Sequence, residues 1–282
     1  MENFKGRVAV VTGAASGIGR ALAERFAEEG MKIVLADVEA PALDKAEAEM
    51  KADGADVLSV QTDVSKSADL DALAEKTLSA YSKVDILCNN AGVAVGGPCW
   101  SITESDWEWV MGVNLWGVIN GLRSFVPIMM KNSDGGHIVN TGSMSSFTAP
   151  AGMAPYATSK HGILALSECL FHDLEQAGSS INVSVLCPGW VNTNIAASSR
   201  NRPEGPISNE DLDPTVREHK EAAVKALEDG LAPKEVAEEV LGAIAEQRFY
   251  VLPEPQWKSV IQARVEDIIN DRDPGIPVPP QD

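Results

Sequence analysis

The sequence of 282 residues lacks long apolar runs of the kind that span a membrane. Its longest apolar stretches, such as Val8–Val11 and Ile33–Ala36, fall far short of the roughly 20 residues that cross a bilayer. The first segment, Met1–Lys5, also lacks the basic start and apolar run of a signal peptide. We therefore expect a cytoplasmic protein that does not span a membrane.

Cysteine and histidine are scarce, with four of each in the chain. The cysteines show no paired spacing of the kind that holds zinc, and the histidines form no His-Glu-x-x-His motif. Isolated cysteines in a reducing compartment are expected to be free thiols. The sequence therefore predicts no metal site.

Basic residues are also few, since 23 Lys and Arg face 41 Asp and Glu and leave a net charge of −18. Long-range repulsion of this size disfavours nucleic acid and anionic membrane surfaces as partners. The hydrophobic content of 44% is ordinary for a globular protein. A small-molecule substrate is the partner that this composition leaves open.

Short apolar runs rich in Val and Ile alternate with amphipathic stretches as far as about residue 190. Strands that are apolar throughout are typical of a sheet covered on both faces, and repeated βα units give a parallel sheet. The sequence therefore predicts an α/β fold, a Rossmann-like doubly wound parallel sheet in a single domain over residues 1–282. The strands are expected at 7–12, 31–36, 56–62, 84–89, 136–141, 181–186 and 249–252, with one long helix over 104–131.

Two segments fall outside this rhythm. Residues 192–233 follow the sixth strand and contain a Pro/Gly-rich stretch, so they can fold over the edge of the sheet where ligands bind. We expect a substrate lid there, because long excursions in compact domains are often functional. Residues 253–282 form a C-terminal extension that ends in a proline-rich tail.

A glycine-rich loop separates the first strand from the first helix. Gly13, Gly17 and Gly19 allow a tight turn and a close approach to a pyrophosphate, and Ser16 and Ile18 lie in the same turn. Free N–H groups at the start of a helix bind negative charge. Glycines also serve ordinary turns, so it is the position between a strand and a helix that favours a dinucleotide site.

Asp37 ends the second strand, where a carboxylate can accept hydrogen bonds from both hydroxyls of the adenosine ribose. The same carboxylate repels the 2′-phosphate of NADP. Val38 follows in place of an arginine, and Ser16 stands in the glycine loop where a basic residue could bind that phosphate. The sequence therefore favours NAD over NADP.

Polar or small residues also follow the third and fourth strands. Asp63 and Val64 are placed to border the adenine ring, and Asn90, Ala91 and Gly92 to line the cofactor. Each of these segments is equally typical of a turn.

Tyr156 and Lys160 lie four residues apart near the start of a predicted helix and share one of its faces. A lysine ammonium about 5 Å away favours the phenolate and is expected to lower the tyrosine pKa by about 2 units at an effective dielectric of about 20. That change brings Tyr156 toward the range where a general base is effective. Ser143 ends the fifth strand and is placed to bind a substrate oxygen.

Together these motifs resemble the short-chain dehydrogenase/reductase family over about residues 5–252. The resemblance implies that Tyr156 is the proton donor and acceptor, that Ser143 anchors the substrate oxygen and that Lys160 binds the nicotinamide ribose. It further implies a water held by Asn114, and a homodimer or homotetramer. The residues implied to contact the nicotinamide end are Pro188, Gly189, Val191 and Thr193.

A narrower similarity connects Gly112–Gly121, Asn194–Arg200 and Tyr250–Pro253 to dehydrogenases that oxidise benzylic alcohols in lignin-derived aryl ethers. The extended C-terminus of that group is absent. The segments that wall the substrate site in this fold are rich in apolar side chains, which predicts bulky, weakly polar, aryl-bearing secondary alcohols or ketones. The expected pocket residues are Val95, Met144, Met153, Trp190 and Ile195, with Trp100 beside them.

Two other functions remain open at this point. One is an NADPH-dependent ketoreductase, including a 3-oxoacyl reductase, which Asp37 and the acidic surface disfavour. The other is a regulator that senses a dinucleotide without turnover, which the intact Ser143, Tyr156 and Lys160 set disfavours.

Overall fold

The computed structural model describes residues 3–208, 210 and 213–275. Seven parallel strands form one sheet in the order β3-β2-β1-β4-β5-β6-β7. The strands are β1 (Val8–Thr12), β2 (Lys32–Asp37), β3 (Val57–Gln61), β4 (Ile86–Asn89), β5 (Gly136–Thr141), β6 (Ile181–Leu186) and β7 (Tyr250–Val251). The predicted doubly wound parallel fold is confirmed.

Helices cover both faces of this sheet. They are α1 (Gly17–Glu28), α2 (Ala40–Ala52), α3 (Ser67–Tyr81), α4 (Glu104–Met111), α5 (Gly117–Met129), α6 (Ala154–Gln176), α7 (Pro214–Glu228), α8 (Pro233–Glu246) and α9 (Lys258–Ile269). Residues of α1, α2 and α8 share one apolar core, and residues of α3, α5 and α6 share the other. None of the helices in the described ranges is long and apolar enough to cross a membrane.

Alternate side chains of each strand enter the two cores. In β1, Ala9 and Val11 pack into the first core, whereas Val10 packs into the second. All three are fully buried, which explains why the strand reads as a continuous apolar run in the sequence.

The long helix expected over residues 104–131 is instead two helices joined by a π-helical turn, Gly112–Trp116. Asn114 lies in this turn and is completely buried, with hydrogen bonds to the loop after β4. The wider turn is the form in which this polar side chain reaches its partners, and such turns often occur at functional sites. Apolar periodicity carries no signal for it.

Strand order reverses between β1 and β4, which is where ligands bind in open α/β sheets. The glycine loop follows β1, and Asn90–Gly92 follows β4. Residues 209 and 211–212 of the expected lid and residues 276–282 of the expected extension lie outside the described ranges.

Candidate active site

Tyr156 and Lys160 lie in the first turns of α6, which begins at Ala154 with Pro155 in its first turn. Lys160 is only 3% exposed, and its Nζ donates a hydrogen bond to the carbonyl of Thr141 at the end of β5 (2.8 Å). The same Nζ lies 5.5 Å from the centroid of the Tyr156 ring. The helix start therefore brings the ammonium and the phenol together at the end of β5.

Ser143 lies in the loop that connects β5 to α6. Its Oγ accepts a hydrogen bond from the backbone N–H of Ser145 (3.1 Å), so its own hydroxyl proton is directed elsewhere. A side-chain hydrogen bond joins Ser143 to Tyr156. Ser146 ties this loop to α6, since its Oγ donates to the carbonyl of Lys160 (2.8 Å).

Burial raises the pKa of Tyr156 above its ordinary value, and the hydrogen bond from Ser143 opposes this rise. Burial also lowers the pKa of Lys160 to about 8. The net fall in the tyrosine pKa expected from Lys160 is therefore wrong for the protein chain alone. The physical reason is desolvation of the phenolate, together with an ammonium whose hydrogen bond goes to the carbonyl of Thr141.

Asn114 connects three parts of this cluster. Its Oδ1 accepts from the N–H of Val93 (2.8 Å), and its Nδ2 donates to the carbonyl of Val93 (3.0 Å) and to Ser159 Oγ (3.0 Å). A Cβ built on Gly92 would lie 3.6 Å from Asn114 Oδ1 and 3.7 Å from Lys160 Nζ. The expected role of Asn114 in holding a water stays a prediction.

The glycine loop has the shape that a pyrophosphate requires. Gly13 and Gly17 adopt positive φ angles of 66° and 56°, and a Cβ on Gly19 would collide with the carbonyl oxygen of Gly13. The Ser16 side chain does not cap α1, which leaves the N–H groups of its first turn for another acceptor. Ile18, half-buried, packs against the first core. The loop therefore fits a dinucleotide phosphate at a helix N-terminus.

Asp37 is held at the end of β2 beside this loop. Its Oδ2 accepts from the N–H of Ala15 and its Oδ1 from the N–H of Glu39, both at 3.0 Å. Burial raises the pKa of Asp37, and these backbone hydrogen bonds oppose the rise. The carboxylate is thus fixed next to the phosphate loop, where an adenosine ribose would lie.

Asp63 and Val64 both have partners within the protein. Burial pushes the pKa of Asp63 up, but hydrogen bonds from Ser65 and the ion pair with Lys66 outweigh it and leave the pKa below its ordinary value. Val64 is buried and packs against Gly117 of α5. An adenine contact by either residue stays a prediction.

Asn90 and Ala91 lie beside the glycine loop. Both backbone N–H groups donate to Thr12 Oγ1 (2.9 and 3.1 Å), and the Asn90 amide donates to the carbonyl of Thr12 (3.1 Å). A Cβ on Gly13 would lie 2.8 Å from Ala91 Cα. The ends of β1 and β4 therefore form one continuous wall.

The segment after β6 reaches the same edge. Pro188 accepts a hydrogen bond from the N–H of Met144 (2.8 Å), and Val191 pairs with Leu231. The Thr193 methyl would lie 3.1 Å from a Cβ on Gly17. A cleft of about 400 Å³ opens between the start of α1 and Asn192–Asn194.

The expected substrate wall is only partly assembled. Gly97 pairs with Met153, which brings the loop containing Val95 against the loop before α6. Met144 is buried next to Ser143, Trp190 is half-buried, and Ile195 begins a 3₁₀ helix, Ile195–Asn201. Trp100 is 86% exposed and is not part of the wall, because it lies in a turn on the surface.

Contacts that the sequence did not reveal attach the 3₁₀ helix and the residue after it to the rest of the domain. Ser198 exchanges hydrogen bonds with Ala94, and Arg200 forms an ion pair with Glu39 (2.7 Å). Arg202 forms an ion pair with the buried Asp106 (2.8 Å). The partners lie far apart in the chain, so no local motif marks them.

Comparison with known proteins places this geometry in a family. A family model described as short chain dehydrogenase matches residues 7–204. The chain therefore belongs to the short-chain dehydrogenase family and is an oxidoreductase of that family.

Individual relatives extend the likeness over the whole chain. A CLA biosynthesis dehydrogenase/reductase of Lactiplantibacillus plantarum is 32% identical over 98% of both chains. A C alpha-dehydrogenase of Sphingobium sp. is 33% identical over 96% of this chain and 88% of its own, which confirms the narrower resemblance. A short-chain dehydrogenase/reductase from Burkholderia phymatum, solved in complex with NAD, is 43% identical with a TM-score of 0.95 over 99% of this chain and 100% of its own.

The hydrogen bond from Ser143 predicts a pH effect. Because this bond lowers the tyrosine pKa, Ser143→Ala should raise it further and shift the rise of alcohol oxidation with pH to higher pH. Turnover should fall by about 100-fold, as when one donor to a developing oxyanion is removed. The measurement is the pH dependence of kcat.

Ser145→Ala is the matched control, because the bond to Ser143 Oγ comes from the backbone of Ser145 and survives. It should keep the wild-type profile. An unshifted profile for Ser143→Ala would show that the hydroxyl does not set the tyrosine pKa.

Proposed function

We propose that this protein is an NAD-dependent oxidoreductase that moves a hydride between the nicotinamide and a bulky, aryl-bearing secondary alcohol or ketone. Tyr156 acts as the general acid and base. The observation that carries the proposal is the cluster of Ser143, Tyr156 and the buried Lys160 at the sheet edge that also carries the glycine loop.

The residues present fit a dinucleotide and favour NAD. Gly13–Gly19 would hold the pyrophosphate, and Asp37 the adenosine ribose. Glu39 adds a second carboxylate two residues beyond Asp37, and Arg200 is already bonded to it, so these three side chains keep a net negative charge. A 2′-phosphate would therefore meet negative charge. The relative solved with NAD supports the same choice.

When bound, the nicotinamide supplies the carbon that accepts or donates the hydride. The chain's own groups handle the proton. Ser143 and Tyr156 would hold the substrate oxygen between two hydroxyl groups, and the Tyr156 oxygen takes the alcohol proton in oxidation and returns it in reduction. Lys160 places positive charge beside the phenol, which favours the phenolate as the proton leaves.

The charges around the wall support a weakly polar substrate. Arg200 and Arg202 are basic residues of the expected lid. Each forms an ion pair with a carboxylate outside the lid, Arg200 with Glu39 and Arg202 with Asp106. A carboxylate or phosphate on the substrate would have to compete with these ion pairs. The apolar positions Val95, Met144, Met153, Trp190 and Ile195 leave the hydroxyls of Ser143 and Tyr156 as the polar focus.

A substrate series tests the function. With NAD, kcat/KM should climb from 2-propanol to 1-phenylethanol and then to larger aryl-ether alcohols, because larger apolar groups bury more surface in the pocket. Each buried methylene contributes at most about 0.8 kcal/mol of binding free energy. NADP should support slower turnover at equal concentration. Both are read from the absorbance of the reduced nicotinamide.

A flat or falling series would contradict the bulky apolar substrate, and faster turnover with NADP would favour the ketoreductase alternative. NADH binding without turnover of any alcohol or ketone in the panel would favour a sensing role.

Residues 192–233 fit the role of a lid. The 3₁₀ helix Ile195–Asn201 starts after β6, and its contacts reach Ala94 after β4 and Glu39 after β2. A dinucleotide running from Asp37 to Tyr156 crosses the same strand ends. Burial pushes the pKa of Glu39 up, but the hydrogen bonds from Arg200 and Asn201 outweigh it and leave the pKa lowered.

The Glu39 contact therefore predicts the rate of cofactor release. Glu39→Gln weakens the ion pair with Arg200, so NADH should dissociate about threefold faster, as suits a partly exposed pair. Stopped-flow fluorescence with excess NAD as the trap measures this rate.

Glu204→Gln is the matched control, since Glu204 is an exposed lid carboxylate and Arg202 keeps its bond to Asp106 when Glu204 is neutral. Equal rates of NADH release for wild type and Glu39→Gln would show that the ion pair between Glu39 and Arg200 does not slow release of the cofactor.

A further inference from the structure

The C-terminal extension begins beside Pro188–Gly189, the segment that the family resemblance implies at the nicotinamide end of the site. β7 pairs with β6, with Val185 opposite Tyr250 and Leu186 opposite Val251. The N–H of Cys187 continues the ladder and donates to the carbonyl of Val251 (2.8 Å). Because the strands are parallel, the chain leaves β7 at the same edge as the Pro188–Gly189 segment leaves β6.

One peptide group at this edge is held from both sides. The carbonyl of Pro188 accepts from the N–H of Met144 (2.8 Å), the residue that follows Ser143. The N–H of Gly189, on the other side of the same peptide bond, donates to Glu254 Oε2 (2.6 Å). The plane of this peptide is therefore fixed between the Ser143 loop and the extension.

Glu254 is itself fixed by the extension. Its Oε1 accepts a hydrogen bond from the indole N–H of Trp257 (3.3 Å). Trp257 is 7% exposed and is the one buried residue between 253 and 275. A Cβ on Gly189 would collide with the indole nitrogen and with the Glu254 carboxylate, so only glycine allows this approach.

We propose that Glu254 is a positioning residue for the nicotinamide end of the site, acting through the Pro188–Gly189 peptide. The hydrogen bond from the Gly189 N–H to the Glu254 carboxylate is short and charge-assisted, and it resists rotation of the peptide that donates it. Rotation of this peptide would move the wall behind the nicotinamide and, through Met144, the loop that carries Ser143. This inference rests on the proposed NAD-dependent function.

The alternative is that Glu254 only anchors the extension, and two ligands separate these roles. ADP-ribose contains the adenosine and pyrophosphate parts of the cofactor and lacks the nicotinamide ring. Substitution of a residue that positions the nicotinamide end should weaken the binding of NADH and leave the binding of ADP-ribose unchanged. A general loss of structure should weaken the binding of both ligands.

The experiment measures the affinities of the full chain for NADH, by fluorescence, and for ADP-ribose, by competition. Glu254→Ala should weaken NADH about tenfold and leave ADP-ribose unchanged, as expected for loss of a hydrogen bond to a charged group. Glu254→Gln keeps a neutral acceptor for Gly189 and should weaken NADH binding by only about threefold, because a bond to a neutral acceptor is weaker than one to a carboxylate. Glu246→Gln, an exposed carboxylate paired with Arg248, is the matched control and should bind both ligands like wild type.

Equal weakening of both ligands, or unchanged NADH affinity, would overturn the proposal. If Glu254→Ala does not fold, Glu254→Gln decides: NADH binding that is measurably weaker, by up to about threefold, with ADP-ribose binding unchanged supports the proposal. Unchanged NADH binding, or equal weakening of both ligands, rejects it. Wild-type protein that fails to bind NADH would instead remove the proposed function on which this inference rests.

Discussion

A lysine ammonium buried at the edge of a parallel sheet is the constraint on which the rest of the site depends. Lys160 is almost inaccessible to solvent, and an ammonium removed from water is costly unless polar groups replace its hydration. The Thr141 carbonyl supplies one such group, and Gly92 brings backbone close to Nζ without a side chain. The burial lowers the lysine pKa to about 8, so the positive charge beside Tyr156 is lost as the pH rises through about 8.

The neighbouring polar groups keep this arrangement rigid. Asn114 joins the loop after β4 to Ser159, one residue before Lys160, and it does so from a π-helical turn that lets a buried amide reach its partners. Ser146 joins the Ser143 loop to α6. The phenol and the ammonium both lie on α6, and the hydroxyl lies on the loop after β5. These two elements and the turn that carries Asn114 meet at one edge of the sheet, which is the preorganisation that proton transfer requires.

Two segments outside the repeating βα units make contacts at that edge. The 3₁₀ helix after β6 reaches Glu39 and Ala94, and the extension after β7 reaches Gly189. Both use carboxylates that bind a cation or a backbone N–H. The net charge of −18 thus includes acidic groups with specific partners beside the proposed cofactor site.

The sequence predicted the features that local patterns determine. Strand ends, the glycine loop, Asp37 and the spacing of Tyr156 and Lys160 all follow from neighbouring residues, and the structure brings them to one edge. The sequence could not predict contacts between residues far apart in the chain, such as Glu39 with Arg200 and Gly189 with Glu254.

The predicted fall in the pKa of Tyr156 was wrong for a related reason. The expected fall counted the charge of Lys160 but not the desolvation of Tyr156, which only the folded surroundings reveal. Trp100 was placed in the wall because its segment follows β4, yet a turn carries its side chain to the surface.

The most direct test of the account is turnover by Tyr156→Phe, measured beside its affinity for NADH. The substitution keeps the ring beside Lys160 and removes the oxygen that carries the proton. The account predicts that kcat for 1-phenylethanol falls by about 100-fold or more while NADH affinity stays within about twofold of wild type. Turnover close to the wild-type rate, with NADH bound normally, would contradict the assignment of Tyr156 as the acid and base.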